Sequence, residues 1–264
     1  MKIDGHIHTP YCPHGTKDTF HEYINRAIQL GYEEITFTEH APLPAGFKDP
    51  VPDSDSGMKM EYLEQYIKDL ANLKIEFKGI ITIKTGLEID YIEGYEEETT
   101  QFLNAIGPHL DDSLLSVHFL LKEGTYDCLD FSKENFGRMI ELYGSVDRIH
   151  QAYYAAVLKS IKADLGKYKP NRIGHITLAD KFKKDFPPAG SFVQQINAIL
   201  NEVAKRKMEL DFNGAGFFKT GCGVSYPPPE IAKQALEMGI PLVYGSDAHQ
   251  AKDLNQGRDR MIFE

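Results

Sequence analysis

The 264-residue chain is predicted to fold as an α/β protein, a distorted (β/α)7 barrel of the TIM-barrel kind. Three observations predict it. Short apolar or β-branched runs alternate with longer stretches of helical spacing, which implies parallel strand pairing. About seven such runs occur, enough for a sheet to close on itself. Histidines and carboxylates recur where these runs finish, and parallel barrels carry their sites at that face.

The strands are read at Lys2–His6, Glu34–Thr38, Ile80–Glu88, Ser113–His118, Arg172–Ile176, Met208–Asn213 and Pro241–Gly245. The first helix is read over Asp18–Leu30, where Phe20, Tyr23, Ile24, Ala27 and Ile28 recur every three or four residues. Met60–Phe77 repeats the pattern with Leu63, Tyr66, Ile67, Leu70 and Leu73. Tyr95–Ile106, Ser132–Tyr143, Val146–Leu165, Phe192–Arg206 and Pro229–Met238 read likewise. Gly31, Gly79, Gly107, Gly144, Gly166 and Gly239 follow helices and are expected to close them in the left-handed conformation. No Pro/Gly-rich linker divides the chain, so a single domain over residues 1–264 is expected. The stretch "APLPAGFKDPVPDSDSG" at 41–57 joins the second strand to the second helix and is expected to lie over a site.

Composition narrows the function. The chain has 29 Lys+Arg against 39 Asp+Glu, a net charge of −10. This argues against non-specific affinity for long nucleic acids or anionic membranes. No apolar run is long enough to span a bilayer, and a signal peptide's basic and apolar regions are absent from the first residues. Cys12, Cys128 and Cys222 are scattered, odd in number and form no CxxC, which fits a reducing, cytoplasmic location. Composition fixes no oligomeric state.

The strand ends carry the chemistry. The first ends at His6, with His8 just beyond and His14 in the following loop; the second ends in "TEH" at His40. The third ends at Glu88, the fourth at His118, the fifth at His175, and the sixth at Asn213. The last ends in "GSDAH", with Asp247 and His249. Imidazole and carboxylate together are the ligands of Zn, Fe or Mn. Any one of these histidines alone reads as a packed or hydrogen-bonded residue. Their joint placement reads as a metal site. Nine ligands exceed what one ion uses, so two to three divalent ions are expected, with a carboxylate such as Glu88 bridging. His21, His109 and His150 fall on helices or at a helix end and are read as solvated or packed.

The HxH pair, "TEH", Glu88, the strand-end His118 and His175, and the closing "SDAH" resemble the PHP (polymerase and histidinol phosphatase) superfamily over essentially the whole chain. Narrower stretches, among them "DGHIHTPYCPHGT", "LEIDYIEGYE", "KPNRIGHI" and "LDFNGAGFFK", are similar to its monofunctional L-histidinol-phosphate phosphatases. The resemblance implies a barrel with three ions. His6, His8, Glu88 and Asp247 would hold one; Glu88, His118 and His175 a second; His14, His40 and His249 a third. The first loop departs from the pattern: His14 stands where many members have an acidic residue, and "GHIH" replaces a commoner "LHxH". The resemblance also implies a metal-dependent phosphomonoesterase of histidine biosynthesis, in which an activated hydroxide attacks phosphorus, with Glu88, Asp247 and His249 at the catalytic centre.

Arg172, Lys219, Lys181 and Arg258 are the candidate phosphate-binding side chains, and Asn213 a candidate substrate contact. Asp4, Glu39 and Asp211 are placed to fix imidazole tautomers. Asp90, Glu93 and the acidic loop Asp49–Asp55 are expected to face a cationic substrate. A PHP-type phosphodiesterase or nucleotide phosphatase is the nearest alternative. An amidohydrolase would need a bridging Lys at a strand end, and none is found. A catalytically silent metal-binding module fits poorly with a full ligand set.

Overall fold

Seven parallel strands form one sheet in the computed structural model, which describes residues 1–261. β1 (Ile3–Ile7), β2 (Glu34–His40), β3 (Thr82–Asp90) and β4 (Leu114–Ser116) pair in turn. A short antiparallel hairpin, β5 (Phe119–Lys122) and β6 (Thr125–Cys128), stands outside the sheet. β7 (Arg172–Ile173), β8 (Glu209–Asn213) and β9 (Leu242–Gly245) complete the order β1-β2-β3-β4-β7-β8-β9. The two edges approach at the C-terminal rim. There the Asp247 amide donates to the His6 carbonyl at 2.7 Å and the His8 amide to the Ala248 carbonyl at 3.1 Å. The sheet is thus nearly closed into a barrel, as the spacing of strands and helices predicts.

The helices are α1 (Phe20–Gln29), α2 (Leu63–Glu76), α3 (Glu96–Ile106), α4 (Lys133–Tyr143), α5 (Val146–Lys162), α6 (Val193–Arg206) and α7 (Pro229–Glu237). α1 buries Phe20, Tyr23, Ile24 and Ala27, and begins in a capping box between Thr19 and Glu22. Gly144, at φ +85°, ends α4, and the Ser145 side chain accepts from the Arg148 amide to start α5. Gly107 is not left-handed, contrary to expectation: its φ is −53°. Glycine is needed there because an added Cβ would lie 2.3 Å from the Tyr168 ring. None of the helices among the described residues is long and apolar enough to cross a membrane.

Two strands are shorter than expected. β4 stops at Ser116 and β7 at Ile173, so His118 and His175 lie beyond the ladder. The chains come together at Gly174, where a Cβ would lie 2.0 Å from Ser116 Oγ. The β5–β6 hairpin follows His118 and carries Phe119 and Cys128. These pack with Val51 and Ile92, against Leu43 and Phe47 of the 41–57 loop. This small apolar cluster pins the loop beside the strand ends.

The start of β7 corrects one expectation. Arg172 is 2 % exposed, and its guanidinium donates to the Gly5 carbonyl and to Asp112, both at 2.8 Å. It plugs the N-terminal half of the barrel and does not reach the strand-end face. An added Cβ on Gly5 would meet Arg172 Nη1 at 2.5 Å, so the β1 glycine makes room for the plug. Arg258 is a second correction. It donates to the Ile3 carbonyl at 3.1 Å and lies over the Tyr244 ring, at the beginning of β1. Neither arginine is placed to bind substrate.

Arg172→Met is expected to lower stability by about 2 kcal/mol, because it strands the buried Gly5 carbonyl and takes the cation from the half-buried Asp112. Urea denaturation measures the loss. Bound ions and KM should not change; a raised KM at normal stability would restore a phosphate-binding role.

Candidate metal centre

Glu88 is the centre of the strand-end face. It is the seventh residue of β3 and 1 % exposed. Its Oε1 lies 2.9 Å from His175 Nε2 and 3.8 Å from His118 Nε2. Its Oε2 lies 3.2 Å from His40 Nδ1, 3.4 Å from His6 Nε2 and 3.6 Å from His8 Nε2. The two oxygens therefore face different sets of imidazoles, the arrangement a bridging carboxylate needs. Ser116 Oγ donates to Oε1 at 2.7 Å and fixes the carboxylate plane.

The outer nitrogens of three histidines are held by buried carboxylates. Asp211 lies 3.0 Å from His6 Nδ1, Glu39 3.2 Å from His8 Nδ1 and Asp90 2.7 Å from His118 Nδ1. Each pairing turns the Nε2 of its ring toward Glu88. Glu39 and Asp211 stand where the sequence reading placed them. Asp4 does not touch a ring: it accepts from the Ser246 and His6 amides. Asp90 orients His118, and so is not free to face a substrate cation. Glu93 pairs with Lys159.

Asp247 completes the face from the end of β9. Its backbone is left-handed, φ +53°, a conformation a non-glycine residue adopts at a cost. His8 Nε2 lies 3.1 Å from Oδ1, and Asn213 donates to Oδ2 at 3.2 Å. Asn213 also donates to Asp211 and accepts from the Ala215 amide, and it is fully buried. Its polar atoms are spent on holding carboxylates, which corrects its expected role as a substrate contact. His249 sets its Nδ1 3.0 Å from the Asp247 carbonyl.

The electrostatics suit cation binding. Burial alone would raise Glu88, but His6, His175 and His118 hold it well below the ordinary carboxylate range. Asp247 is likewise held down, against burial, by His6, His8 and His249. Burial and the neighbouring His8 push His40 and His249 well below the usual imidazole value, so both are neutral donors of lone pairs. His6 Nε2, both nitrogens of His40 and His175 Nδ1 are buried without a hydrogen-bond partner. Unpartnered imidazole nitrogens around an ionised carboxylate are groups that divalent cations satisfy.

Among the described residues, three sets of atoms able to bind a metal lie within 4.8 Å of one another: His6, His8 and Asp247; Glu88, His118 and His175; and His8, Cys12, His40 and His249. The second set has the residues of one expected grouping; the first has those of another without Glu88. The third holds Cys12, which the sequence reading missed although it stands between HxH and His14 in one loop. His14 is exposed, its Nδ1 2.9 Å from the Asp55 carbonyl and its ring 5.0 Å from that of His40.

The centre floors a cavity of about 540 Å³. Val51, Asp55 and Ser56 of the 41–57 loop line its mouth, as expected of that loop. Asp49, in contrast, is occupied by the Val51 and Ser56 amides. Of the four expected phosphate binders, Lys181 and Lys219 reach the cavity wall. Asp130, not singled out in the sequence, lines it beside Lys181, which donates to its carboxylate at 2.8 Å.

The chain is similar to known proteins over nearly its whole length. A family model described as the PHP domain matches residues 4–215. The histidinol-phosphatase of Bacillus subtilis is 49 % identical over 264 residues, covering 99 % of this chain and 98 % of the relative. A Listeria monocytogenes protein, assigned provisionally as a histidinol phosphatase, superposes with a TM-score of 0.94 at 40 % identity, covering 99 % of this chain and 100 % of that one. The fold is shared with the Lactococcus lactis histidinol phosphate phosphatase, solved with zinc, L-histidinol and phosphate. Its TM-score is 0.69 at 21 % identity, covering 95 % of this chain and 87 % of that chain.

Glu88→Gln keeps the volume and removes the charge. Elemental analysis should show the loss of at least one ion per chain, and kcat should fall about 10³-fold, the scale of a main electrostatic element. Normal ion content with near-normal turnover would show that Glu88 is a packed residue.

Proposed function

The chain belongs to the PHP domain family, and on that premise we propose that it hydrolyses L-histidinol phosphate to L-histidinol and inorganic phosphate with two to three divalent ions. The observation that carries this reading is the placing of Glu88, whose two oxygens divide five imidazoles between them at the floor of the strand-end pocket. Divalent ions in such a shell lower the pKa of a bound water toward neutrality and neutralise charge on phosphoryl oxygens.

The chain's own residues supply the rest. Lys181 and Lys219 stand on the cavity wall as cations for the phosphate oxygens. Asp130, bonded to Lys181 at 2.8 Å, stands beside the phosphate cations and serves the substrate's ammonium group. Burial would raise its carboxyl, but Lys181 and His118 hold it well below the usual range, so it meets an ammonium group as a carboxylate. Being ionised, it does not protonate the leaving alkoxide. Phe119, Phe131 and Phe218 give the cavity apolar wall for an imidazole ring. The loop over the mouth and a cavity of about 540 Å³ suit a small ester better than a polynucleotide.

Phosphate release across a panel of esters tests this. kcat/KM for L-histidinol phosphate should exceed that for an aryl phosphate by about 10², the range a few polar contacts supply. Asp130→Asn should shrink that ratio by about tenfold and leave aryl phosphate turnover largely intact. Oligonucleotides should not be cleaved. A dinucleotide hydrolysed as fast as histidinol phosphate would place the chain in the phosphodiesterase branch.

A further inference from the structure

Cys12 has no role in the chemistry so far. We propose that its sulfur is a thiolate ligand of the ion held by His40 and His249, making that position a mixed nitrogen–sulfur site. The inference deepens the metal-centre reading and rests on it.

Cys12 is fully buried, and its Sγ lies within 4.8 Å of ligand nitrogens of His8, His40 and His249. His8 is already committed, with Nδ1 facing Glu39 and Nε2 facing Asp247. That leaves Cys12, His40 and His249 around one point. His40 gives the independent sign of a ligand: it is 8 % exposed, and neither ring nitrogen has a hydrogen-bond partner. The "CPHG" turn is shaped around the sulfur. The backbone amides of His14 and Gly15 face it, and the Lys17 ammonium stands nearby. A Cβ on Gly15 would lie 3.2 Å from Sγ. Burial and the nearby Glu39 push the thiol up, with these amides and the ammonium opposing them, so the thiolate forms only as an ion binds. On binding, the S–H bond gives way to a sulfur–metal bond and the proton leaves to solvent. A soft sulfur ligand selects zinc, iron or cobalt over manganese at this position.

The purified protein, stripped with a chelator and reloaded with Co²⁺, tests this. The expected result is a sulfur-to-cobalt charge-transfer band in the near ultraviolet. It should persist in Cys128→Ser and Cys222→Ser and vanish in Cys12→Ser and Cys12→Ala. In the Cys12 variants one ion should bind at least about tenfold more weakly, the others remaining. A cobalt spectrum with nitrogen and oxygen ligands alone, or Cys12→Ser with unchanged stoichiometry and affinity, would overturn the thiolate and leave the metal centre standing. Failure of the wild-type chain to take up any cobalt would overturn both.

Discussion

The structure is organised around one buried charge. Glu88 is an ionised carboxylate almost sealed from water, and such a group is tolerated only when cations or hydrogen-bond donors surround it. The barrel meets that need by bringing five imidazoles from four segments to the same face. Those imidazoles then need partners of their own, which Asp211, Glu39 and Asp90 supply. Asn213 ties Asp211 to Asp247. The polar interior is thus one connected network, in which each member fixes the direction of the next.

The two ends of the barrel divide the work. The N-terminal half is closed by Arg172, whose guanidinium pairs with Asp112 and the β1 backbone. The C-terminal end is left open above the ligands, roofed by the 41–57 loop and the β5–β6 hairpin. The small cluster of Val51, Ile92, Phe119 and Cys128 joins that roof to the barrel. It holds a loop of mostly turn-forming residues in place without secondary structure of its own.

Much of this was legible in the sequence, because parallel strands put their C-terminal ends on one face and the candidate ligands sit there in chain order. Glu39 and Asp211 were legible for a similar reason, being near strand-end ligands in sequence. What failed was information carried by neither periodicity nor spacing. A two-residue strand gives no pattern by which to tell which end of the barrel Arg172 occupies. Asp90 follows Glu88 by two residues, and only the tertiary approach of β4 brings His118 against it. The β5–β6 hairpin is too short and too mixed in polarity to stand out from a loop. Cys12 looked like one of three scattered thiols, because its nearness to His40 and His249 depends on how the first loop folds back. Asp130 carries no motif, and its role comes from Lys181, fifty-one residues further on.

The claim that Glu88 bridges ions is tested most directly by anomalous diffraction from crystals of the metal-loaded protein, recorded at the absorption edges of the bound metals. A bridging Glu88 gives separate anomalous peaks on the two sides of its carboxylate: one between Oε1, His118 and His175, the other between Oε2, His6, His8 and Asp247. A single peak contacting one oxygen alone, or peaks remote from Glu88, would contradict it.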